Sequence, residues 1–137
     1  MSHGLKIIEK PVLALQKKHK ILEQVRHIFL SQSSRFEPFF TKSSPKSNRA
    51  GFEDESQHKP TSGDYYVFPE TYRKEICKGF EPQAVTALLL RKGFLVKHPS
   101  NGKIDASIYV PALGKTARLY HFSSNIIGSK KAEKMGD

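Results

Sequence analysis

The chain has 137 residues, which is enough for one domain with flanking segments. Lys and Arg number 23 against 13 Asp and Glu, and the formal charge of +10 favours a polyanionic partner, nucleic acid first and an anionic membrane second. Cys77 is the only cysteine, which excludes an intrachain disulfide and a metal cage built from cysteines.

The charge is unevenly distributed along the chain. Residues 1–50 hold ten Lys and Arg against three acids, residues 51–81 hold four against seven, and residues 82–137 hold nine against three. Two basic segments therefore flank an acidic one. Excess lysine that only keeps the chain in solution is the alternative interpretation.

The N-terminal residues lack the apolar core of a signal peptide, and no run approaches the ~20 apolar residues of a membrane span. We therefore expect a cytoplasmic protein with no membrane partner.

A first helix is predicted over residues 12–31, after a loose lead-in at residues 1–10. Pro11 suits the first turn of that helix. Apolar side chains then recur close to a helical period, at Leu15, Leu22, Val25, Ile28 and Phe29. This helix also carries four cations: Lys17, Lys18, Lys20 and Arg26. They could form a second phosphate-binding surface, but a solvated helix face is the favoured interpretation.

The segment after this helix predicts little regular structure. Residues 35–40 contain three Phe, which indicates an irregular segment whose rings pack on a core. A short strand is expected at residues 49–52. Residues 53–64 are polar and acidic, which predicts a mobile loop or a hairpin tip in which Asp54 and Glu55 are solvated.

A strand and a first short helix are predicted next. Residues 65–68 are aromatic and β-branched, as in a strand. Pro69 suits the start of a helix over residues 69–77. Gly79 ends that helix because glycine adopts the left-handed conformation at low cost.

A second helix is predicted to begin at Pro82 and to end before Gly93. Its expected buried face consists of Ala84, Val85, Leu88 and Leu89. The two helices around the Gly79 turn form a predicted helix-turn-helix over residues 69–92.

The remaining elements complete a single domain over residues 11–123. Strands are predicted at residues 94–96, 108–110 and 118–122, with a turn at His98–Gly102, and residues 124–137 are expected to be a disordered basic tail. The predicted fold class is α+β and winged helix-turn-helix-like, in the order helix, strand, helix, helix, strand, strand.

The second helix of the predicted pair is the main functional candidate, because such a helix presents its exposed face to the major groove of DNA. Gln and Arg have the donor and acceptor geometry that reads base edges, and Lys contacts phosphates. The candidate DNA-binding residues are Gln83, Thr86, Arg91 and Lys92 on the helix, with Lys97, Asn101, Lys103 and Lys115 on the strands and turns that follow. Winged helices also serve only as protein-docking modules, and that alternative stays open.

Other chemistry has little support in the sequence. The six histidines are scattered, so no metal site is predicted. Neither a phosphate-binding G-x-x-x-x-G-K-[ST] loop nor a G-x-S-x-G elbow is present, and we expect no enzyme activity, no cofactor and no small-molecule substrate. Core packing is favoured over stacking on single-stranded bases for the aromatic residues Tyr65, Tyr66, Phe68 and Phe94.

Residues 66–85, which read YVFPETYRKEICKGFEPQAV, resemble the C-terminal region of large helicase/primase-like proteins from prophages, plasmids and integrative elements. Those proteins have been described as inactivated derivatives of superfamily II helicases. Further segments that match in order are residues 24–29, 34–37, 48–52, 111–114 and 118–120. The resemblance covers residues 20–122, with Ala112 standing where the family has Gly.

What the resemblance implies is an accessory domain of a mobile-element helicase or replication system. The ATPase and primase parts of the family lie upstream of the matched region, so no catalytic residue is implied here. We expect binding to duplex DNA. The alternatives are a docking module for a helicase or primase subunit, and a nonfunctional remnant of such a protein.

Overall fold

The computed structural model describes residues 2–44, 47–99 and 102–127, and their side chains from residue 14 onward. The helical elements are α1 (Ser2–Ser31), a 3₁₀ turn (Ser33–Arg35), α2 (Pro69–Thr71), which continues as a π-helical turn (Tyr72–Ile76), and α3 (Pro82–Arg91). The strands are β1 (Phe36–Pro38), β2 (Gly51–Glu53), β3 (Tyr65–Val67), β4 (Leu95–Val96), β5 (Asp105–Val110) and β6 (Lys115–Phe122).

All six strands join one sheet in the order β1-β2-β3-β6-β4, with β5 also paired to β6. Only β1 and β2 run parallel. Strand β6 is central, because His121 pairs with Tyr66 of β3 and also with Val96 of β4. The predicted α+β class is confirmed.

The main core lies between the helices and one face of the sheet. Val25, Ile28 and Phe29 of α1 are buried there. The predicted end of the first helix at Ser31 is confirmed, but the helix begins at Ser2 and so includes residues expected to be a loose lead-in. Leu15, expected on the buried face, is 65% exposed. Among the described side chains, α1 enters the core only from Ile21 onward.

A second core covers the opposite face of the sheet. It contains Phe39, Phe52, Tyr66, Val110 and Leu119. Successive strand residues point to opposite faces, so Tyr65 and Val67 enter the main core while Tyr66 enters the second. Residues 35–40 were expected to be irregular, and that expectation is wrong for Phe36–Pro38, which form β1. The Phe rings of this segment pack on the two cores, as predicted.

The helical pair forms where the sequence predicts it. Gly79 and Gly93 have φ angles of +81° and +77°, so both end a helix in the left-handed conformation, as expected. The first helix differs in its winding, because the Cys77 N–H donates to the Tyr72 carbonyl at 2.9 Å, five residues back. The wider π turn keeps Tyr72, Ile76 and Cys77 on one buried side.

Two of the three predicted strands after α3, β5 and β6, are longer than predicted. The expected strand over residues 94–96 is only two residues long as β4, and β5 then continues along the same side of β6. The His98–Gly102 turn joins these two strands, with the Gly102 N–H donating to the His98 carbonyl at 2.7 Å. The longer hairpin is β5–β6, which turns at residues 111–114.

The acidic loop over residues 54–64 is the tip of the β2–β3 hairpin, which was one of the two expectations for it. The expectation that both Asp54 and Glu55 are solvated is wrong for Asp54, whereas Glu55 is exposed but makes structural hydrogen bonds. Asp54 is buried and accepts hydrogen bonds from Ser56 and Thr61. The Glu55 carboxylate accepts hydrogen bonds from three consecutive backbone N–H groups, those of residues 39–41.

Residues 124–137 were expected to form a disordered tail, and that expectation is wrong for residues 124–127, which pack against the rest of the fold. Ile126 is fully buried in the main core, and its carbonyl accepts a hydrogen bond from Arg26 Nε at 2.9 Å. The Ser124 N–H donates to the Asp64 carboxylate at 2.8 Å. Residues 128–137 lie outside the described part of the chain. Within the described part, no helix has both the length and the apolar character that a membrane crossing requires.

Candidate nucleic-acid interface

Helix α3 has one buried face and one exposed face. Val85, Leu88 and Leu89 are buried, because positions three and four residues apart share one side of a helix. Ala84 was expected with them but is exposed. Gln83 is exposed, as the sequence predicts for a residue that contacts a partner.

A cleft of about 410 Å³, called here the α3 cleft, runs along part of this exposed face. It brings together α3, the π turn, β6 and the β4–β5 loop. The side chains that line it include Tyr72, Arg73, Gln83, Thr86, Ile104 and Tyr120.

Thr86, predicted to contact DNA, makes a structural contact that the sequence did not predict. Its hydroxyl lies 2.6 Å from the Tyr72 hydroxyl, with which it forms a hydrogen bond. Tyr72 is buried and stacks on Tyr120, with ring centroids 4.0 Å apart and planes 8° from parallel. Thr86 therefore fastens α3 to the π turn, and its hydroxyl is already engaged.

The other aromatic candidates belong to the cores. Tyr65, Tyr66 and Phe94 are buried, and Phe68 packs against the second core. The favoured interpretation, core packing, is confirmed for these residues. Tyr120 was not selected from the sequence, yet it is the half-buried ring that lines the α3 cleft.

Three of the predicted cations follow α3 in the chain, and Asp105, which pairs with Tyr120 of the α3 cleft, is the first acid after them. Lys92, Lys97 and Lys103 are all exposed, and residues 82–104 contain no Asp or Glu. Lys103 directly precedes Ile104, which lines the α3 cleft. Asn101, the remaining candidate of this loop, lies outside the described residues.

Arg91 does not line the α3 cleft. It lies instead in a neighbouring groove between α1 and α3, together with Lys17 and Lys18. The two surfaces are adjacent because Ala87 lines both of them. The single face predicted from the sequence is therefore divided into two.

Lys115 lies apart from both surfaces. It begins β6 and is roughly 16 Å along that strand from Tyr120, at a rise of about 3.3 Å per residue. The neighbouring hairpin tip packs on the second core, where the Ala112 N–H donates to the Phe39 carbonyl at 3.0 Å. Lys115 therefore lies at the far end of β6 from the part of that strand that lines the α3 cleft.

The acids of the middle segment are largely occupied by structural contacts. Arg35 donates two hydrogen bonds to Glu75, at 2.6 and 2.8 Å, and these hydrogen bonds lower the pKa of the Glu75 carboxyl. Asp54 and Asp64 are buried. The acidic segment thus neutralises less of the surface than its composition indicates.

His121 and Asp64 form a close polar contact outside the candidate surfaces, with Nε2 2.7 Å from Oδ2. The His121 ring also stacks on Tyr66 at 4.6 Å. Asp64 is in turn held by the Ser124 N–H, so the pair joins three segments of the fold. Among the described residues, no group of three or more His, Cys, Asp or Glu side chains could hold a metal ion.

Comparisons with protein-family models, with curated proteins and with solved structures gave no match. The resemblance of residues 20–122 to mobile-element helicase/primase-like proteins stays a prediction. Function is therefore inferred from the geometry and charge of the site.

Proposed function

We propose that this chain is a nucleic-acid-binding accessory domain that binds duplex DNA through α3 and the β4–β5 loop. One observation carries the proposal. Residues 82–104, which lie between Glu81 and Asp105, supply four exposed cations and no carboxylate: Lys92, Lys97 and Lys103, which follow α3 in the chain, and Arg91, which lies in the neighbouring groove. A phosphate backbone is the partner that such a surface attracts most strongly.

The arrangement of elements supports a winged-helix-like interpretation of the fold. A strand, β3, precedes two helices joined at Gly79, and antiparallel strands follow. In this interpretation α3 is the groove-facing helix. The β5–β6 tip is packed on the second core, so we assign the backbone-contacting role of the wing to the β4–β5 loop, residues 97–104.

The chemistry of the residues divides into two roles. The Gln83 side-chain amide has one donor and one acceptor, which match the edge of adenine in the major groove. Arg73, on the opposite wall of the α3 cleft, has the planar donor set that suits guanine or a phosphate. Lys97 and Lys103 supply phosphate contacts, which orient the protein on the duplex without selecting a sequence.

The cellular setting follows from the resemblance alone. A domain of this kind would act within a mobile-element replication or helicase system, next to a protein that carries the motor or primase activity.

The test is a fluorescence-anisotropy titration of a labelled duplex at several salt concentrations. Each phosphate contact adds about 0.9 to the slope of log affinity against log salt, so Lys97→Ala with Lys103→Ala should lower that slope by about 1.8. The matched control, Lys42→Ala with Lys59→Ala, also removes two charges, but both lysines lie outside the α3–loop surface. Equal slopes for the two double variants, or no duplex binding at about 100 mM salt and micromolar protein, contradict the proposal.

A second candidate function, docking of a helicase or primase protein, is favoured by the groove between α1 and α3. The groove contains apolar as well as cationic side chains. The two functions are compatible, because the groove and the α3 cleft lie on adjacent sides of one helix.

A further inference from the structure

The groove between α1 and α3, called here the α1–α3 groove, has a volume of about 240 Å³. Helix α1 contributes Ala14, Lys17, Lys18 and Ile21. Helix α3 contributes Ala84, Ala87, Leu88 and Arg91. In both helices these positions follow the spacing i, i+3, i+4, i+7, so each helix presents one continuous stripe about two turns, or roughly 10 Å, long.

The floor of the groove is apolar and narrow. Ile21 and Leu88 are buried members of the main core, and their outer atoms line the groove. Ala14, Ala84 and Ala87 have small side chains, which allow a third backbone to approach closely. Two adjacent stripes that carry small residues have the shape that a third helix fills by ridges-into-grooves packing.

The rim of the groove is cationic. Lys17, Lys18 and Arg91 line it, and no carboxylate of the described residues forms a salt bridge with any of the three. The aliphatic stems of the two lysines extend the apolar surface while their ammonium groups stay in water. An occupant that covers the floor must therefore place negative charge beside these three groups.

Other occupants fit this surface less well. A second copy of the chain would present the same lysines of α1 and would be repelled. The chain's own residues 128–137 carry Lys130, Lys131 and Lys134 and only one large apolar residue, Met135, so their charge and composition do not match. Duplex DNA could pair with the rim but would leave the apolar floor uncovered.

We propose that the α1–α3 groove docks an acidic amphipathic helix of a partner protein. The occupant has apolar residues at i, i+3 or i+4, and i+7 that cover Ile21, Leu88 and the alanines, flanked by Asp or Glu that face Lys17, Lys18 and Arg91. This site is separate from the α3 cleft and goes beyond duplex binding.

The test uses the full chain and a labelled 18-residue synthetic helix with a leucine stripe at that spacing and glutamate on its flanks. The control peptide keeps the leucines and replaces each glutamate with lysine. We expect micromolar binding of the acidic peptide and at least tenfold weaker binding of the basic one. Equal binding of the two peptides would overturn the proposal.

Two variants test whether the acidic peptide binds in the α1–α3 groove. Ala84→Tyr fills the groove from an exposed position, and Arg91→Glu reverses one rim charge; each should weaken the acidic peptide at least tenfold. Lys115→Glu, which reverses one exposed charge apart from both surfaces, is the matched control and should leave peptide affinity unchanged. Circular dichroism checks that each variant is folded. Should Ala84→Tyr fail to fold, Lys17→Glu with Lys18→Glu, at one exposed and one half-buried position, replaces it.

Undiminished peptide affinity in the folded groove variants overturns the docking proposal. A duplex titration of the same proteins separates it from the proposed DNA function, because Ala84→Tyr leaves the residues of the α3 cleft and the β4–β5 loop in place. Peptide binding without duplex binding supports docking and rejects the DNA proposal, whereas duplex binding without peptide binding does the reverse.

Discussion

Individual carboxylates hold this fold together at points where the backbone has no regular partner. The Asp64 carboxylate lies 2.7 Å from His121 Nε2, which donates to it when that nitrogen carries the proton, and it also accepts a hydrogen bond from the Ser124 N–H. Glu55 satisfies consecutive N–H groups just beyond β1, where the chain leaves the sheet. Without such partners, N–H groups at the end of a strand would depend on water.

The first prediction concerns the acid dependence of stability. Burial opposes ionisation of Asp54 and Glu55, but the hydrogen bonds they accept outweigh it and lower the pKa of both carboxyls below their ordinary values of 3.8 and 4.5. A depressed folded-state pKa stabilises the fold at pH values above the unfolded-state pKa, and this contribution is lost as pH falls. The free energy of unfolding should therefore be level near neutral pH and decline below about pH 4.5.

Urea unfolding from pH 7 to pH 3 measures this decline. Glu55→Gln should be less stable at pH 7 and should show a shallower acid decline than the unsubstituted chain. Glu70→Gln is the control, because Glu70 is exposed on α2 and pairs only with Lys74 at 3.5 Å. An acid decline of equal steepness in Glu55→Gln contradicts the role assigned to Glu55.

At the scale of elements, the two ends of α3 could be predicted from the residues at those ends. Pro82 begins it and Gly93 ends it, and both signals depend only on the conformation of the residue itself. The partners of Glu55 and the position of Arg91 depend on elements far away in sequence, so local patterns did not reveal them. The same limit applies to β5, whose start at Asp105 is set by pairing with β6.

The second prediction compares two glycines. A Cβ on Gly51 would lie 1.9 Å from the Tyr66 carbonyl oxygen, so Gly51→Ala must separate β2 from β3. Gly79 has open space around a Cβ but a φ of +81°, so Gly79→Ala costs only the left-handed conformation, about 1 kcal/mol. We expect Gly51→Ala to cost more than about 3 kcal/mol, or to prevent folding.

Thermal and urea unfolding of the two variants provide the measurement. Equal losses of stability, or a larger loss for Gly79→Ala, would show that the β2–β3 contact is looser than the geometry indicates.

At the scale of the whole molecule, the surface charge is not the simple sum of the basic, acidic and basic blocks of the sequence. Most acids of residues 51–81 make contacts within the fold, whereas Lys92, Lys97 and Lys103 are exposed. Composition predicted the excess of cations but not its division between the α3 cleft and the α1–α3 groove. That division arises because α1 packs beside α3 and leaves Arg91 on the α1 side.

The third prediction follows from the closeness of the two surfaces. A bound acidic helix adds negative charge beside α3, so it should weaken duplex binding about two- to fivefold at low salt, and the duplex should weaken the peptide by the same factor. The effect should disappear near 1 M salt, where the screening length is about 3 Å. Duplex titrations with and without saturating peptide measure it, and mutual strengthening at low salt is the contrary result.

The position of Ile126 has a consequence for the order in which the chain acquires its structure. Phe29 and Ile126 belong to one core, although nearly a hundred residues separate them, and Arg26 bonds to the Ile126 carbonyl. Phe36 and Tyr65 pack on the Phe29 ring from nearby in the chain, whereas Phe122 and Ile126 join the same core from far along it. The main core is therefore complete only when residues 122–126 are in place, whichever of its other elements form before them.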